Sequence, residues 1–276
     1  METAAYPVRD PTSSPPSPAS GRGLCALAVM IKAPRAGAVK TRLVPPLTHE
    51  EAAALSICFL RDTAANIGSV AADNAAEGVA VYTPRRAERA FDGLLCEGFS
   101  LVAQRGESFG DRLFHAAEDL LALGYESLCL IDSDSPTLPR ELLKGAVEAL
   151  ARGGDRVVLG PSDDGGYYLI GLKRAHRRLF REITWSTDRV LLETVERASE
   201  IGLEVSMLPR WYDVDTAATL SRLCEELFTP GGNHVAPDGL KGYDASHTRR
   251  YLSRLIETGG RERIWPVAGA GAGAGR

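Results

Sequence analysis

Uninterrupted apolar runs separated by amphipathic stretches set the rhythm of this chain. Residues 24–31 read L-C-A-L-A-V-M-I, the pattern of a strand covered on both faces. Residues 78–82, 101–103, 127–131, 156–159, 167–172 and 203–208 repeat it in shorter form. Between them, apolar positions fall at helical spacing. Thr48 and Glu51 have the T-x-x-E spacing of a capping box, and Ala52, Leu55, Phe59 and Leu60 continue it as one apolar stripe. Further helices are predicted over 111–123, from a first turn at Pro139 to about Ala151, over 188–199 and over 245–257. Strands alternating with helices predict an α/β fold with a mostly parallel central sheet, whose ligands sit beyond the carboxyl ends of its strands.

The flanks lack that rhythm. Residues 1–22, rich in Pro, Ser and Gly, are predicted to be a disordered segment, and 266–276 a flexible Gly/Ala tail. The main domain is expected over 23–228, with a C-terminal extension carrying one helix over 229–265. The composition is that of an ordinary globular protein: 276 residues, 44% hydrophobic and 25% charged. A net charge of −4 gives no overall field favouring nucleic acid or an anionic membrane surface, so any phosphate recognition must be local. No run approaches the roughly 20 apolar residues of a membrane span, and the N-terminus has neither a basic nor an apolar leader region. The expectation is a cytoplasmic protein without nucleic-acid partners. Five widely spaced cysteines with no C-x-x-C pair fit core thiols in a reducing compartment rather than zinc ligands. The five histidines show no ligand spacing.

Five polar constellations interrupt the apolar runs. The fourth strand ends in D-S-D-S-P, where Asp132 and Asp134, two apart on an extended chain, would project to the same side. Two such carboxylates suit a hard divalent cation, Mg2+ or Mn2+, shared with substrate phosphates. An Asx-type turn capping the next helix explains the same segment equally well. Residues 32–43, K-A-P-R-A-G-A-V-K-T-R-L, place Lys32, Pro34, Gly37, Lys40 and Arg42 directly after strand one, either as a phosphate cradle or as a solvated basic loop. The loop is not a P-loop, because Val39 stands where that motif needs glycine. In G-P-S-D-D-G-G-Y-Y, Asp163, Asp164, Gly165, Gly166 and Tyr167 form either a hairpin turn or a ligand contact. Asp213 and Asp215 in W-Y-D-V-D-T offer either further metal ligands or, at Asp215, a helix N-cap. Gln104, Gly106 and Arg112 precede and open a helix whose amides could meet an anion.

Taken in order, these pieces resemble the GT-A class of nucleotide-diphospho-sugar transferases. More closely, they resemble the glycosyltransferases associated with arsenosugar biosynthesis and radical-SAM selenodomain proteins. The pattern K-x-P-x-x-G-x-V-K-T-R-L, Q-x-G-x-x-G-x-R, D-S-P, G-P-x-x-D-G-G-Y-Y-L-I-G-L, W-S-T and D-V-D-T is met from about residue 25 to about residue 228. The chain departs at Asp132, where that family commonly has a small residue, and at Thr219, where an Asp often stands.

The resemblance implies a GT-A-like, Rossmann-like three-layer fold. It also implies a metal-dependent transfer of sugar from a nucleotide-diphosphate sugar to a small-molecule acceptor. Lys32, Pro34, Gly37, Lys40, Arg42, Gln104, Gly106 and Arg112 would bind the nucleotide phosphates. Asp134 and Asp215, with Asp132 and Asp213, would hold the metal. Asp164, Gly165, Gly166, Tyr167, Trp185 and Ser186 would face sugar or acceptor, with Asp134, Asp164 and Lys40 central to catalysis. A nucleotidyltransferase acting on a nucleoside triphosphate and releasing pyrophosphate is the alternative. A non-catalytic nucleotide-sugar-binding protein is the third reading.

Overall fold

The computed structural model describes residues 6–11, 24–229 and 239–266. Its centre is a seven-stranded sheet formed by β1 (Cys25–Lys32), β2 (Ala76–Thr83), β3 (Ser100–Ala103), β4 (Ser127–Ile131), β5 (Arg156–Pro161), β6 (Tyr167–Leu172) and β7 (Glu204–Met207). The strands lie in the order β3-β2-β1-β4-β6-β5-β7. All neighbouring pairs are parallel except those made by β6, which runs antiparallel to both β4 and β5. Carboxyl ends of β1, β4 and β5 and the amino end of β6 therefore meet along one rim.

Alternation along β1 shows why its run is apolar throughout. Cys25, Leu27, Val29 and Ile31 face one core, while Ala26 and Ala28 face the other. The first core receives α1 (His49–Asp73), α3 (Arg140–Ala151), α5 (Ala217–Phe228) and α6 (Ser246–Gly259); the second receives α2 (Phe109–Ala122) and α4 (Val190–Glu200). Three layers result, as the resemblance implied, around the mostly parallel sheet that the alternating pattern predicted. The Thr48–Glu51 capping box closes in both directions at the start of α1. Pro139 caps α3 from just outside it rather than within its first turn.

Two boundaries differ from expectation. Residues 6–11 fall within the stretch predicted to be disordered, yet they pair with the sheet: Leu101 N donates to Pro7 O at 2.9 Å and Arg9 N to Leu101 O at 2.8 Å. Tyr6 and Arg9 anchor the segment through side chains, the Tyr6 hydroxyl donating to Leu95 O and the Arg9 guanidinium to Glu77 and Tyr125. Residues 1–5, 12–23 and the tail from 267 lie outside the described residues. The C-terminal extension carries a second short helix, α7 (Arg261–Ile264), and is not separate from the domain. Leu252, Leu255 and Ile264 join the first core, and Arg263 grips Glu51 of α1 with two bonds of 2.8 Å. No described helix is long and apolar enough to cross a membrane.

Candidate active site

Four segments converge on the strand rim, and backbone bonds fix their spacing. β4 ends at Ile131, so Asp132 and Asp134 sit in the turn beyond it rather than as alternate residues of a strand. Asp132 N donates to Tyr168 O at 3.0 Å, which ties that turn to β6. Val214 N donates to Asp134 O at 2.9 Å and joins D-V-D-T to D-S-D-S-P, as Trp211 N to Pro161 O joins it to β5. Asp215 does not cap α5; Thr216 does, in a reciprocal box with Thr219. The side chain of Asp215 is thereby released toward the site.

Lys40 is the keystone. It adopts a left-handed backbone conformation (φ 49°), and its side chain, 4% exposed, turns under the first loop. Its Nζ donates to Asp134 Oδ1, Asp215 Oδ1 and Val214 O, each at 2.8 Å. Burial works against its charge, but the two carboxylates outweigh burial and hold its pKa above the ordinary lysine value. Three motifs distant in sequence thus meet at one ammonium.

Two clefts open beside these aspartates and share Asp134, Asp215 and Phe109 in their walls, while Lys40 lines only the smaller. The smaller, about 310 Å³, is lined by Lys32, Pro34, Lys40, Gln104 and Arg112 from the expected phosphate set. Four of these side chains already bond to the protein, Lys40 as described above and Arg112 through a 3.1 Å bond to Glu107 O among them. The Lys32 ammonium donates to Ala38 O at 2.9 Å, and the Gln104 amide donates to Ile31 O and Val81 O. Gly37 and Gly106 line neither cleft. Arg42 lines the other one, apart from Lys32 and Arg112 with which it was grouped.

The larger chamber, about 450 Å³, carries all four expected metal ligands together with Asp164, Gly166, Tyr167, Trp185 and Ser186. Burial lifts the Asp132 carboxyl well above the usual range, and Asp134 and Asp213 push it further, while Ser135 donates to it at 2.9 Å. Asp213 is raised by burial, with Asp164 and Asp215 adding to the shift against a 2.8 Å bond from Ser162. Its neighbour in the D-D-G-G turn, Asp163, points away to Arg222 at 2.6 Å, whereas Asp164 accepts from Gly166 N and faces the chamber. Gly165 (φ +89°) does not line the cavity but sets its shape, because a Cβ there would lie 2.2 Å from Asp188 O. Leu191 N donates to Gly165 O and clasps the turn to the start of α4.

Sequence reading missed Phe109 and Asp188, both of which line the chamber. Phe109 had a visible signal: a large apolar residue at the first position of a helix, now 50% exposed. Asp188 was hidden inside a predicted helix that begins two residues later, at Val190.

No group of three or more His, Cys, Asp or Glu side chains among the described residues is arranged to hold a metal ion. The donor set nevertheless has the right chemistry for a hard dication. Four carboxylates line one wall, and two of them, Asp132 and Asp213, have pKa values raised by burial and further by their acidic neighbours. A magnesium ion bound through one or two carboxylates and completed by water and substrate phosphate fits such a wall without a closed protein cage.

Residues 65–187 match a family described as "Uncharacterized protein conserved in bacteria (DUF2064)". Among solved structures, the chain is similar to a protein of Desulfovibrio desulfuricans G20 that carries a provisional assignment as a nucleotide-diphospho-sugar transferase. The two share 29% identity over 85% of this chain and 96% of that one, with a TM-score of 0.72. A cytidylyltransferase from Leptospira borgpetersenii (11% identity, TM-score 0.47, 90% and 99% covered) is more distant. So is 4-diphosphocytidyl-2C-methyl-D-erythritol synthase from Anaerococcus prevotii (14%, 0.46, 71% and 94%), and likenesses that weak decide nothing. No curated protein matches the chain. The fold is therefore the seven-stranded, mostly parallel α/β fold of its nucleotide-diphospho-sugar-transferase-like neighbour, and its middle portion carries the pattern of that bacterial family.

Proposed function

We propose that this protein is a metal-assisted transferase that moves a sugar from a nucleotide-diphosphate sugar to a small acceptor. The observation that carries the reading is the Lys40 ammonium, which joins the first loop to Asp134 and Asp215 where two clefts of opposite character meet. Support comes from the 29% identical neighbour and its provisional assignment. The ordered motifs resembling the arsenosugar and radical-SAM selenodomain-associated glycosyltransferases support the finer placement. In this reading the basic cleft takes the diphosphate, with Arg112 and Lys40 opposing its charge. The acidic chamber takes sugar and acceptor. A divalent cation held by Asp134 and Asp215, with Asp132 and Asp213 alongside, would supply Lewis-acid neutralisation of the departing diphosphate. Lys40 keeps its proton throughout and holds the two aspartates at fixed spacing. Asp164, fixed by its bond from Gly166 N, stands at the chamber wall within reach of an acceptor.

Products test the reading directly. Incubation with nucleotide sugars and manganese is expected to release a nucleoside diphosphate. Pyrophosphate released from a nucleoside triphosphate would establish nucleotidyl transfer instead, and ligand binding without turnover would establish a sensor. Asp134→Ala is expected to lower turnover by about 10³-fold, equivalent to several kcal/mol of transition-state stabilisation, with the thermal midpoint little changed. Normal turnover in that variant would remove Asp134 from the mechanism.

A further inference from the structure

The larger chamber has a composition that the transfer of a neutral sugar does not require. Six of its lining side chains are aspartates, Asp132, Asp134, Asp164, Asp188, Asp213 and Asp215, against a single cation, Arg42. Lys40 answers two of them, Asp134 and Asp215. Asp164 and Asp188 stand apart from that pair, are exposed, and form no ion pair among the described residues. Beside them is an aromatic corner. The rings of Phe109 and Trp185 meet edge to face, with centroids 5.1 Å apart and planes at 83°, and Tyr167 lines the same space.

The corner is held in place by tight packing rather than by chance proximity. A Cβ on Gly110 would lie 2.6 Å from Phe180 O and 2.7 Å from Trp185 Nε1, so only glycine lets the start of α2 approach the indole so closely. Phe109 keeps half its surface exposed while lining this ligand-sized cavity and the cleft beside it. Exposed aromatic rings and unpaired carboxylates lining one cavity are the recognition elements of an organic cation. The ring faces attract the spread charge and apolar substituents, and the carboxylates set its sign.

We infer that the acceptor side of this chamber binds a small organic cation, an ammonium-bearing molecule with apolar substituents. The inference rests on the transferase reading only for the word acceptor; the binding preference stands by itself. A divalent metal would be drawn to Asp134 and Asp215, which border the diphosphate cleft. The organic cation would take the Trp185–Asp188 side.

Calorimetric titration of the full chain with choline and with its uncharged isostere 3,3-dimethyl-1-butanol tests this, first without magnesium and then with it. Choline is expected to bind about tenfold tighter than the isostere, the scale of one desolvated cation–aromatic contact. The preference is expected to disappear in both Trp185→Leu and Asp188→Asn and to survive magnesium. Thermal unfolding of each variant verifies that it is folded, and Asp188→Asn, an exposed isosteric change, remains informative if the tryptophan variant does not fold. Equal binding of the two compounds, a preference kept in both variants, or one abolished by magnesium would overturn the inference. Thermal shifts with nucleotide sugars are recorded in parallel. Choline preference without any nucleotide-sugar response would sink the transferase reading and leave the cation site standing, and the reverse result would do the opposite.

Discussion

The two clefts share Asp134 and Asp215 but are built in different ways. In the basic cleft the cations are largely spoken for. The Lys32 ammonium closes its own loop on Ala38 O, and Gln104 spends its amide hydrogens on strand carbonyls. That cleft lies over the parallel half of the sheet, β3-β2-β1-β4, where every strand brings a carboxyl end to the rim. The acidic chamber lies where β6 reverses direction, so a turn and a helix start, rather than strand ends, form its far wall. Asp164 and Asp188 hang from those irregular segments and have no cationic partner among the described residues. A rigid, self-satisfied side beside an unsatisfied one is the division of labour expected when one site holds an invariant diphosphate and the other distinguishes among acceptors.

Lys40 lines the basic cleft and bonds the two aspartates that both clefts share, so its loss would break the comparison outright. Lys40→Met leaves Asp134 and Asp215 facing each other with no shared cation. Turnover is expected to fall about 10²-fold. Urea unfolding should show a loss of about 2 kcal/mol, less than for a fully buried pair because both carboxylates reach water. Unchanged turnover would mean that the ammonium only braces the fold.

Gly165 sharpens the comparison because the turn it shapes, with Asp164 and Gly166, borders the chamber and not the basic cleft. Gly165→Ala meets both a positive φ and a carbonyl oxygen at 2.2 Å, so about 2 kcal/mol of stability is expected to be lost. The KM for acceptor should rise while nucleotide binding, measured by calorimetry, stays near wild type. Equal damage to both substrates would show that the clefts are one unit.

The smallest effect concerns the wall they share. Glu226 is buried beneath Tyr212 and Thr137, whose hydroxyls both donate to it, so it braces the two acidic segments from behind. Burial raises its pKa above the ordinary glutamate value despite those bonds. A carboxyl raised on folding contributes stability that is fully present below its unfolded value and is lost as pH rises through the folded one. Wild type should therefore gain thermal stability on acidification from roughly pH 8 to pH 5 relative to Glu226→Gln, by less than about 1.5 kcal/mol. A difference independent of pH would show that Glu226 does not titrate in that window.

What could be read from the sequence was local. Ser127–Ile131 and Tyr167–Leu172 have the predicted bounds because both are apolar to their last residue and end at polar turns. The antiparallel direction of β6 left no mark on periodicity, which is the same for either direction. Lys40 and Asp215 were both picked out, but their contact spans 175 positions and no spacing rule reaches that far. Asp215 as a helix cap failed for a local reason: Thr216, one residue on, forms a two-way box with Thr219 and takes the role. Residues 6–11 were lost among the prolines and serines around them, although Tyr6, Val8 and Arg9 carry the contacts that hold them down.

That short N-terminal pairing has a practical side. β3 is a four-residue strand at the outer border of the sheet, and the hydrogen-bonding groups of Leu101 are taken up by Pro7 and Arg9. A preparation trimmed to begin at residue 24 would bare those groups, inviting neighbouring molecules to pair there and the protein to come out of solution. Tags and cleavage sites are better placed ahead of Tyr6 than at the start of the first core strand.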